Sequence, residues 1–383
     1  MFEGKAKLMF GKSRLPSIFY NPRMSMNRDV AILVAECLSG KIRICDPMTA
    51  SGVRAIRYLL ECSNVDVVEA SDVSVKSVEF ARRMIQLNQI DQSKVIVVVA
   101  DANSFLINRE NQFNLVDLDP FGCPVRFYEN ALRSVVDHGV LAVTATDMAL
   151  LTGARHSACF RKYNIVPVRA DFAKEGAVRI LAASIALAAI RLERGTRVIF
   201  SHASDHYSRV YVQVRVGKKA ANASSAQLGF IEYCPVCLKR DSRKRFEEFH
   251  SRCDNCGGRV MIGGPIWLGA LWDVDLVRGM SGYSGSVTSS RIADVQRLLD
   301  QVEGEMIAPA FYYRVDYAAK SLGRNPPRVV DILGALRDCG YVATRTHFHP
   351  NGVRTNAPIN RIRYEVSRLA NKIQTKKVYF GAL

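Results

Sequence analysis

Ile44-Cys45-Asp46-Pro47-Met48-Thr49-Ala50-Ser51-Gly52 is the stretch that decides the fold. A short β-branched run ends on an acid, and a loop closing on glycine leads into a helical pattern, which is the junction where open α/β sheets bind nucleotides. Outward from it, as far as position 216, short apolar runs alternate with segments of helical period, as in a parallel sheet with crossover helices. Strands are expected at 42–45, 65–70, 95–99, 115–118 and 140–144, with amphipathic stretches such as 74–88 between them. Five strands in regular order predict a doubly wound sheet. A long Ala/Ile/Leu-rich helix, about 174–194, then leads into two runs, 196–202 and 207–216, that read as an antiparallel hairpin ending the sheet.

The first loop contains one glycine, Gly52, so a G-x-G-x-x-G cradle for a dinucleotide is absent and NAD and FAD are disfavoured. Twenty residues on, the second strand ends at Ser71-Asp72, where a carboxylate can accept hydrogen bonds from both ribose hydroxyls. The third ends at Asp101-Ala102, where an acid can accept from an adenine amino group. Taken singly each acid is an ordinary helix cap; acids in order at successive strand ends suit an adenosyl ligand without phosphates, S-adenosylmethionine.

The fourth strand runs Asn114-Leu115-Val116-Asp117-Leu118-Asp119 into Pro120-Phe121-Gly122. The lone pair of an exocyclic amine is delocalised into its base, so methyl transfer to it needs acceptors for its two protons. Asp119 and the carbonyl of Pro120 provide these, and Phe121 can stack on the base. An Asp-Pro turn at a strand end is the plain alternative.

Cys234-x2-Cys237-x15-Cys253-x2-Cys256 has zinc-ribbon spacing, and Gly257-Gly258 lets backbone N–H groups turn toward sulfur. Four thiolates leave no open position, so the expected Zn2+ is structural. Between the pairs, Lys239 to Arg245 forms a basic loop that either meets phosphate or is solvated. The other six cysteines are scattered and expected to be buried thiols.

Lys and Arg exceed Asp and Glu by a net +17, and 48% of the residues are hydrophobic. That excludes a disordered chain and points to a folded protein meeting a polyanion, with nucleic acid foremost. The longest apolar run, 180–190, is far below the roughly 20 residues that span a bilayer. The N-terminus has no apolar core of signal-peptide length, so a cytoplasmic protein is expected. Small polar residues at 217–227 read as a linker, giving a first domain at 1–217 and a second at 218–383, with the cysteine site at 230–262. In the second, 279–290 reads as a Gly/Ser-rich loop. Helical patterns follow near 292–302 and 329–338, with a strand from Tyr341, as in a small winged-helix-like unit. Two polar segments stand out. Ser201 to Tyr207 reads as a satisfied turn, and Thr346 to Asn356 as either a nucleic-acid contact or a surface turn.

Phe19-Tyr20-Asn21-Pro22, Asn27-Arg28-Asp29, Asp119-Pro120-Phe121-Gly122, Thr144-Ala145-Thr146-Asp147, Ser201 to Tyr207 and Thr346-His347-Phe348 together resemble the tRNA (guanine-26-N2)-dimethyltransferase family, of archaeal type, over nearly the whole chain. The resemblance implies an α/β, Rossmann-like S-adenosylmethionine-dependent methyltransferase domain, followed by a smaller α+β C-terminal domain; the zinc-ribbon-like four-cysteine site in that domain rests on spacing and not on the resemblance. It implies transfer of one or two methyl groups to N2 of guanine-26, with tRNA as partner and neither a membrane nor an obligate protein partner. By motif, Arg28 and Arg54 resemble cofactor-contacting arginines, Asp72 the ribose acid, and Asp101 with Ala102 the adenine-edge contacts. Asp119 resembles the catalytic aspartate, and Phe19 and Phe121 the rings that sandwich the guanine. Arg243, Lys244 and Arg245 are the expected phosphate contacts of the basic loop. Two other readings stay open: a methyltransferase for another exocyclic amine in RNA or DNA, and an inactive zinc-containing RNA-binding protein.

Overall fold

The computed structural model describes residues 1–9, 18–244, 247–289 and 291–380. Helix α1 (Ser25–Glu36) precedes a seven-stranded sheet. Its first part alternates β1 (Ile42–Asp46), α2 (Val53–Glu61), β2 (Val65–Asp72), α3 (Val75–Leu87), β3 (Val95–Val99), α4 (Ala102–Leu106), β4 (Phe113–Leu118), α5 (Tyr128–Ser134) and β5 (Val135–Ala145). Short helices α6 (Met148–Leu151) and α7 (His156–Tyr163) lead to the long α8 (Ala173–Arg191), then to β6 (Arg194–Ala203) and β7 (Ser208–Val216). The strand order is 3-2-1-4-5-7-6. The first five strands are parallel, and β7 runs antiparallel to both β5 and β6. All five expected parallel strands and the closing hairpin are present. Strand β5 starts earlier than its apolar run, because exposed Asp137 and His138 sit in a register shift that the alternation of apolar residues does not reveal.

The strands are apolar on both faces, as a sheet covered by helices requires. Helix α8 is buried along most of its length, with residues such as Leu181, Ile185 and Ala189 sealed against the sheet. No helix among the described residues is long and apolar enough to cross a membrane.

Residues 217–227, expected as a linker, fold instead as α9 (Lys218–Ser225). Gly195 of β6 makes room for it, since a Cβ there would lie 2.3 Å from the carbonyl oxygen of Ala220. Ser224 seals the contact by accepting from the backbone N–H of Thr196 at 3.1 Å. Small residues that read as having little to bury are small because a helix lies close against an edge strand.

Beyond α9, β8 (Leu228–Tyr233) lies between β9 (Arg240–Lys244) and β10 (Met261–Trp267) in an antiparallel sheet. The expected Gly/Ser loop at 279–290 is corrected in its first part, where 279–283 form the end of α10 (Val274–Tyr283). Asp273 caps that helix by accepting from Leu276 N–H, and Gly279 lets it approach Cys37, the residue that ends α1. Next come α11 (Ile292–Glu305), β11 (Tyr313–Arg314), α12 (Val315–Ser321), α13 (Val329–Asp338), β12 (Ala343–Arg345), β13 (Gly352–Thr355) and α14 (Ile359–Phe380), with the strands ordered β11-β13-β12.

The Thr346 to Asn356 segment is not a surface turn at its core. Arg354 is buried between Glu175 of α8 at 2.8 Å and Glu305 of α11 at 3.0 Å. Glu305 also accepts from Thr346 Oγ1 at 2.6 Å and from His347 N–H at 2.8 Å. The polar residues that looked suited to RNA close this knot between the two parts of the chain. Burial raises the Glu175 pKa, but Arg354 and Arg179 outweigh it and hold the carboxyl down at about 2. A carboxyl depressed on folding contributes stability above its unfolded pKa, and that contribution is lost as pH falls through the folded value. Acid unfolding between about pH 4.5 and 2 is therefore expected to remove roughly 3 kcal/mol through Glu175. Denaturant titrations over that pH range should show a steep slope that flattens in Glu175→Gln; equal slopes in the two proteins would refute the linkage.

Candidate active site

The direction of winding reverses between β1 and β4, whose Cys45 and Val116 are paired neighbours, so the crevice at their C-terminal ends is the switch point of the sheet. Asp46 ends β1, and Asp119 follows β4 immediately. In a strand, residues two apart share a face, which puts Asp117 and Asp119 on the same side toward α2. There Arg54 bridges them, with Nη1 3.2 Å from Asp117 and Nη2 2.5 Å from Asp119, and Nη2 also donates to Asn27 Oδ1 at 3.0 Å. Asp119 is at the mouth, with its side chain 22% exposed, while Asp117 is sealed.

Two cationic side chains hold Asp117. Arg209 of β7 donates to it at 2.8 Å and to Thr144 Oγ1 at 2.7 Å, and the hydroxyl of Tyr58 adds a further bond to Asp117 at 2.8 Å. Burial raises the Asp117 pKa, but Arg209 and Arg54 outweigh it and keep the carboxyl below its usual range. Asp46 lies on the other side of this balance. Burial pushes it up to about 7 against the pull of Arg54, with Asp117 adding to the rise.

A cleft of about 590 Å³ opens over Asp119 and Pro120, lined also by Phe19, Arg28, Phe121 and the turn Ser204 to Tyr207. Phe19 and Phe121 meet edge to face with ring centres 4.5 Å apart, and Phe121 is 73% exposed. The expected guanine sandwich is thus brought together, with the rings in contact. The turn at 201–207, read as a satisfied network, also forms one wall. His202 is buried and held neutral by that burial, with His347 and Arg209 adding to the effect, and the Tyr207 hydroxyl lies 3.4 Å from its Nδ1.

The expected cofactor residues divide into two groups. Arg28 and Arg54 stand at or beneath this cleft; Asp72, Asp101 and Ala102 lie at the ends of β2 and β3, outside its walls. Asp72 accepts from Ala50 N–H and Ser74 N–H, both at 2.9 Å, which ties the first loop to the second strand. Asp101 is exposed and caps α4, and Ala102 is buried beneath it. Arg28 forms a bidentate pair with Glu3 at 2.5 Å for each bond, and Tyr20 donates to the same carboxylate at 2.6 Å. The short antiparallel pair Phe2–Glu3 and Ala6–Lys7, which carries Glu3, therefore holds the segment that carries Phe19. The donor set, carboxylates at successive strand ends with arginines and no phosphate cradle, fits an adenosyl ligand bearing an amino acid.

The four Cys Sγ atoms all lie within 4.8 Å of one another, with Cys234 and Cys256 at 3.4 Å and Cys237 and Cys253 at 3.6 Å. A Zn–S bond of about 2.3 Å implies a tetrahedral edge near ~3.8 Å, and the thiols are unbridged. The set fits one tetrahedral metal. Of the other six cysteines, Cys45, Cys62 and Cys159 are buried, Cys37 and Cys123 half-buried, and Cys339 exposed, which departs from the expectation.

The basic loop between the cysteine pairs is corrected to a strand, β9, most of whose charges are matched. Arg240 is buried against Asp171 at 2.9 Å, Lys239 pairs with Asp254 at 2.6 Å, and Arg243 with Glu232 at 2.9 Å. Lys244 is exposed at the strand's end, and Arg245 lies outside the described residues. Runs of basic residues do not show that their acids come from other elements.

Sequence reasoning missed Asp117, Arg209, Tyr58 and Asn27 as parts of the site. The Asp-x-Asp alternation of 117 and 119 was a usable signal; Arg209, almost a hundred residues away on another strand, had none.

A doubly wound sheet with acids along its switch-point edge and an arginine-anchored carboxylate under two exposed rings defines a Rossmann-like S-adenosylmethionine-dependent methyltransferase. Comparison with known proteins agrees. The family model for N2,N2-dimethylguanosine tRNA methyltransferase matches residues 4–367, and the chain belongs to that family. It is 33% identical over 351 residues, 90% of each chain, to the tRNA (guanine(26)-N(2))-dimethyltransferase of Methanosphaera stadtmanae. It is also 33% identical over 361 residues, 92% of this chain and 90% of the relative, to the tRNA (guanine(26)-N(2)/guanine(27)-N(2))-dimethyltransferase of Aquifex aeolicus. Among solved structures, the complex of Trm1 from Pyrococcus horikoshii with S-adenosyl-L-methionine superposes with a TM-score of 0.87 at 33% identity, covering 96% of this chain and 99% of that one.

Proposed function

We propose that this protein transfers one or two methyl groups from S-adenosylmethionine to N2 of guanine-26 in tRNA. One observation supports the reading above the others: Asp119, held by Arg54, faces a cleft whose rim is the Phe19–Phe121 pair. The cofactor, when bound, supplies an electrophilic methyl group; Asp72, Asp101, Arg28 and Arg54 are the residues assigned to hold it. Phe19 and Phe121 part to receive a flipped base, since their contact leaves no gap between them. Arg54 fixes one oxygen of Asp119, Oδ2, leaving Oδ1 to accept a proton of the exocyclic amine while the Pro120 carbonyl accepts the other. That orients the nitrogen lone pair toward the methyl group and takes up the proton released on transfer. With tRNA as the substrate, we infer a cytoplasmic location.

Incubation with labelled S-adenosylmethionine and unmodified tRNA transcripts, followed by nucleoside analysis and mapping, tests the assignment. Methylated guanosine at position 26 is expected. Label in another base, or only at another position, would replace the reading.

For the cysteine cluster we infer one structural zinc. Elemental analysis of protein purified without chelator should find about one zinc per chain, and Cys237→Ser should lose it together with the order of β8 and β9. Binding energies of about 10–16 kcal/mol for such sites make substoichiometric metal in a folded sample incompatible with the assignment.

A further inference from the structure

The net charge of +17 needs surface where it is not neutralised, and in β9 acids match Arg240 and Arg243. The segment between Asp147 and Asp171 offers such a surface. It contains no Asp or Glu, and its Arg155, Arg161, Lys162 and Arg169 are all exposed. Among the described residues none of the four is paired with a carboxylate. The acids at either end are already engaged, Asp147 by the Tyr163 hydroxyl at 2.6 Å and Asp171 by Arg240.

Position matters as much as charge. Helix α7 turns Cys159 and Tyr163 inward, while Ser157 and, three and four residues on, Phe160 and Arg161 face solvent. Phe160 is 52% exposed, an apolar ring set among cations. The inward face packs behind the catalytic loop. Asp147, which holds Tyr163, follows Thr146, and Thr146 exchanges two hydrogen bonds with Gly122, the residue after Phe121. The helix that carries the cations is thus tied, through Tyr163, Asp147 and Thr146, to the loop that lines the cleft.

A base flipped into that cleft leaves its two neighbouring phosphates outside, beside the rim. From this geometry we infer that α7 with its flanking Arg155 is an RNA-contact strip, its cations on the backbone next to the target nucleotide and Phe160 stacked on an unpaired or terminal base face. The inference rests on the proposed tRNA reading and assigns part of its recognition to the methyltransferase sheet, not to the cysteine-bearing region.

The test uses the full chain and an unmodified tRNA transcript. Affinity is measured against salt for wild type, for the triple variant Arg155→Gln, Arg161→Gln, Lys162→Gln, for Phe160→Ser and for Lys244→Gln, together with cofactor affinity and melting temperature. Each lost phosphate contact reduces the log–log salt slope by about 0.7–0.9. The triple variant is therefore expected to lose about 2 from the slope and at least ~10-fold in affinity, with cofactor binding and melting unchanged. Phe160→Ser should weaken binding at an unchanged slope, and Lys244→Gln should resemble wild type. A triple variant with wild-type slope and affinity overturns the strip. Binding is read separately from methyl transfer, so a wild type that binds tRNA without methylating it would sink the proposed activity and still decide the strip by its slopes.

Discussion

Asp119→Ala is expected to lower single-turnover methyl transfer to tRNA by at least ~10²-fold, because the exocyclic amine loses its proton acceptor and its alignment. The same substitution should leave the fold intact. Asp119 is at the end of β4 and partly exposed, and Arg54 keeps a second carboxylate, Asp117, within 3.2 Å, so no buried cation is stranded. Cofactor affinity should also change little, as the acids at the ends of β2 and β3 lie outside the cleft that Asp119 lines. Asn at this position keeps the shape but cannot accept the released proton, and it should be nearly as slow. Rapid-mixing measurements with saturating cofactor, alongside cofactor titration and thermal melting, separate these quantities. A near-normal single-turnover rate in Asp119→Ala would remove the catalytic role.

Removing Arg209 should do the opposite, harming the fold before the chemistry. Asp117 is fully buried and shares its charge between Arg209 and Arg54. Arg209→Met fills similar volume but leaves that carboxylate with one guanidinium, and breaking a buried pair from one side costs about 3–5 kcal/mol. A melting temperature lower by on the order of 10 °C follows. Adding Asp117→Leu to Arg209→Met should recover part of the loss, since an apolar replacement of both partners avoids the unpaired buried charge. A single variant melting within about 2 °C of wild type would mean that Arg54 and Tyr58 suffice. Because Arg54 is shared, the single variant should also draw it from Asp119 toward Asp117, seen as a lower rate in the fraction that remains folded.

The sheet was legible because its evidence is local. Each parallel strand is a continuous apolar run, each crossover helix has its own period, and Ser74 and Asp101 cap the helices they precede. The candidate loop was legible for the same reason: Asp119, Pro120 and Phe121 are contiguous, and the structure sets all three on one cleft. The cysteine cluster was readable from spacing alone, since each Cys-x2-Cys pair puts its two thiols side by side and the two pairs meet with all four sulfurs within 4.8 Å of one another.

Partnerships between distant segments were decided by tertiary structure. Lys239 to Lys244 spells a basic surface, yet Asp171, Glu232 and Asp254 neutralise most of it. Thr346, His347 and Arg354 spell an RNA contact, yet Glu175 and Glu305 draw them inside. Residues 218–225 spell a linker until Gly195, on a strand more than twenty residues earlier, offers a groove for a helix. A charge's role depends on the counter-charge that folding brings to it, and a small residue's role on the backbone that folding sets against it. Neither is encoded within a few residues. The sequence by itself determined the sheet, the acids at its edge and the thiolate cluster; which of the fifty-three cations are free to meet a phosphate was decided only when the chain closed on itself.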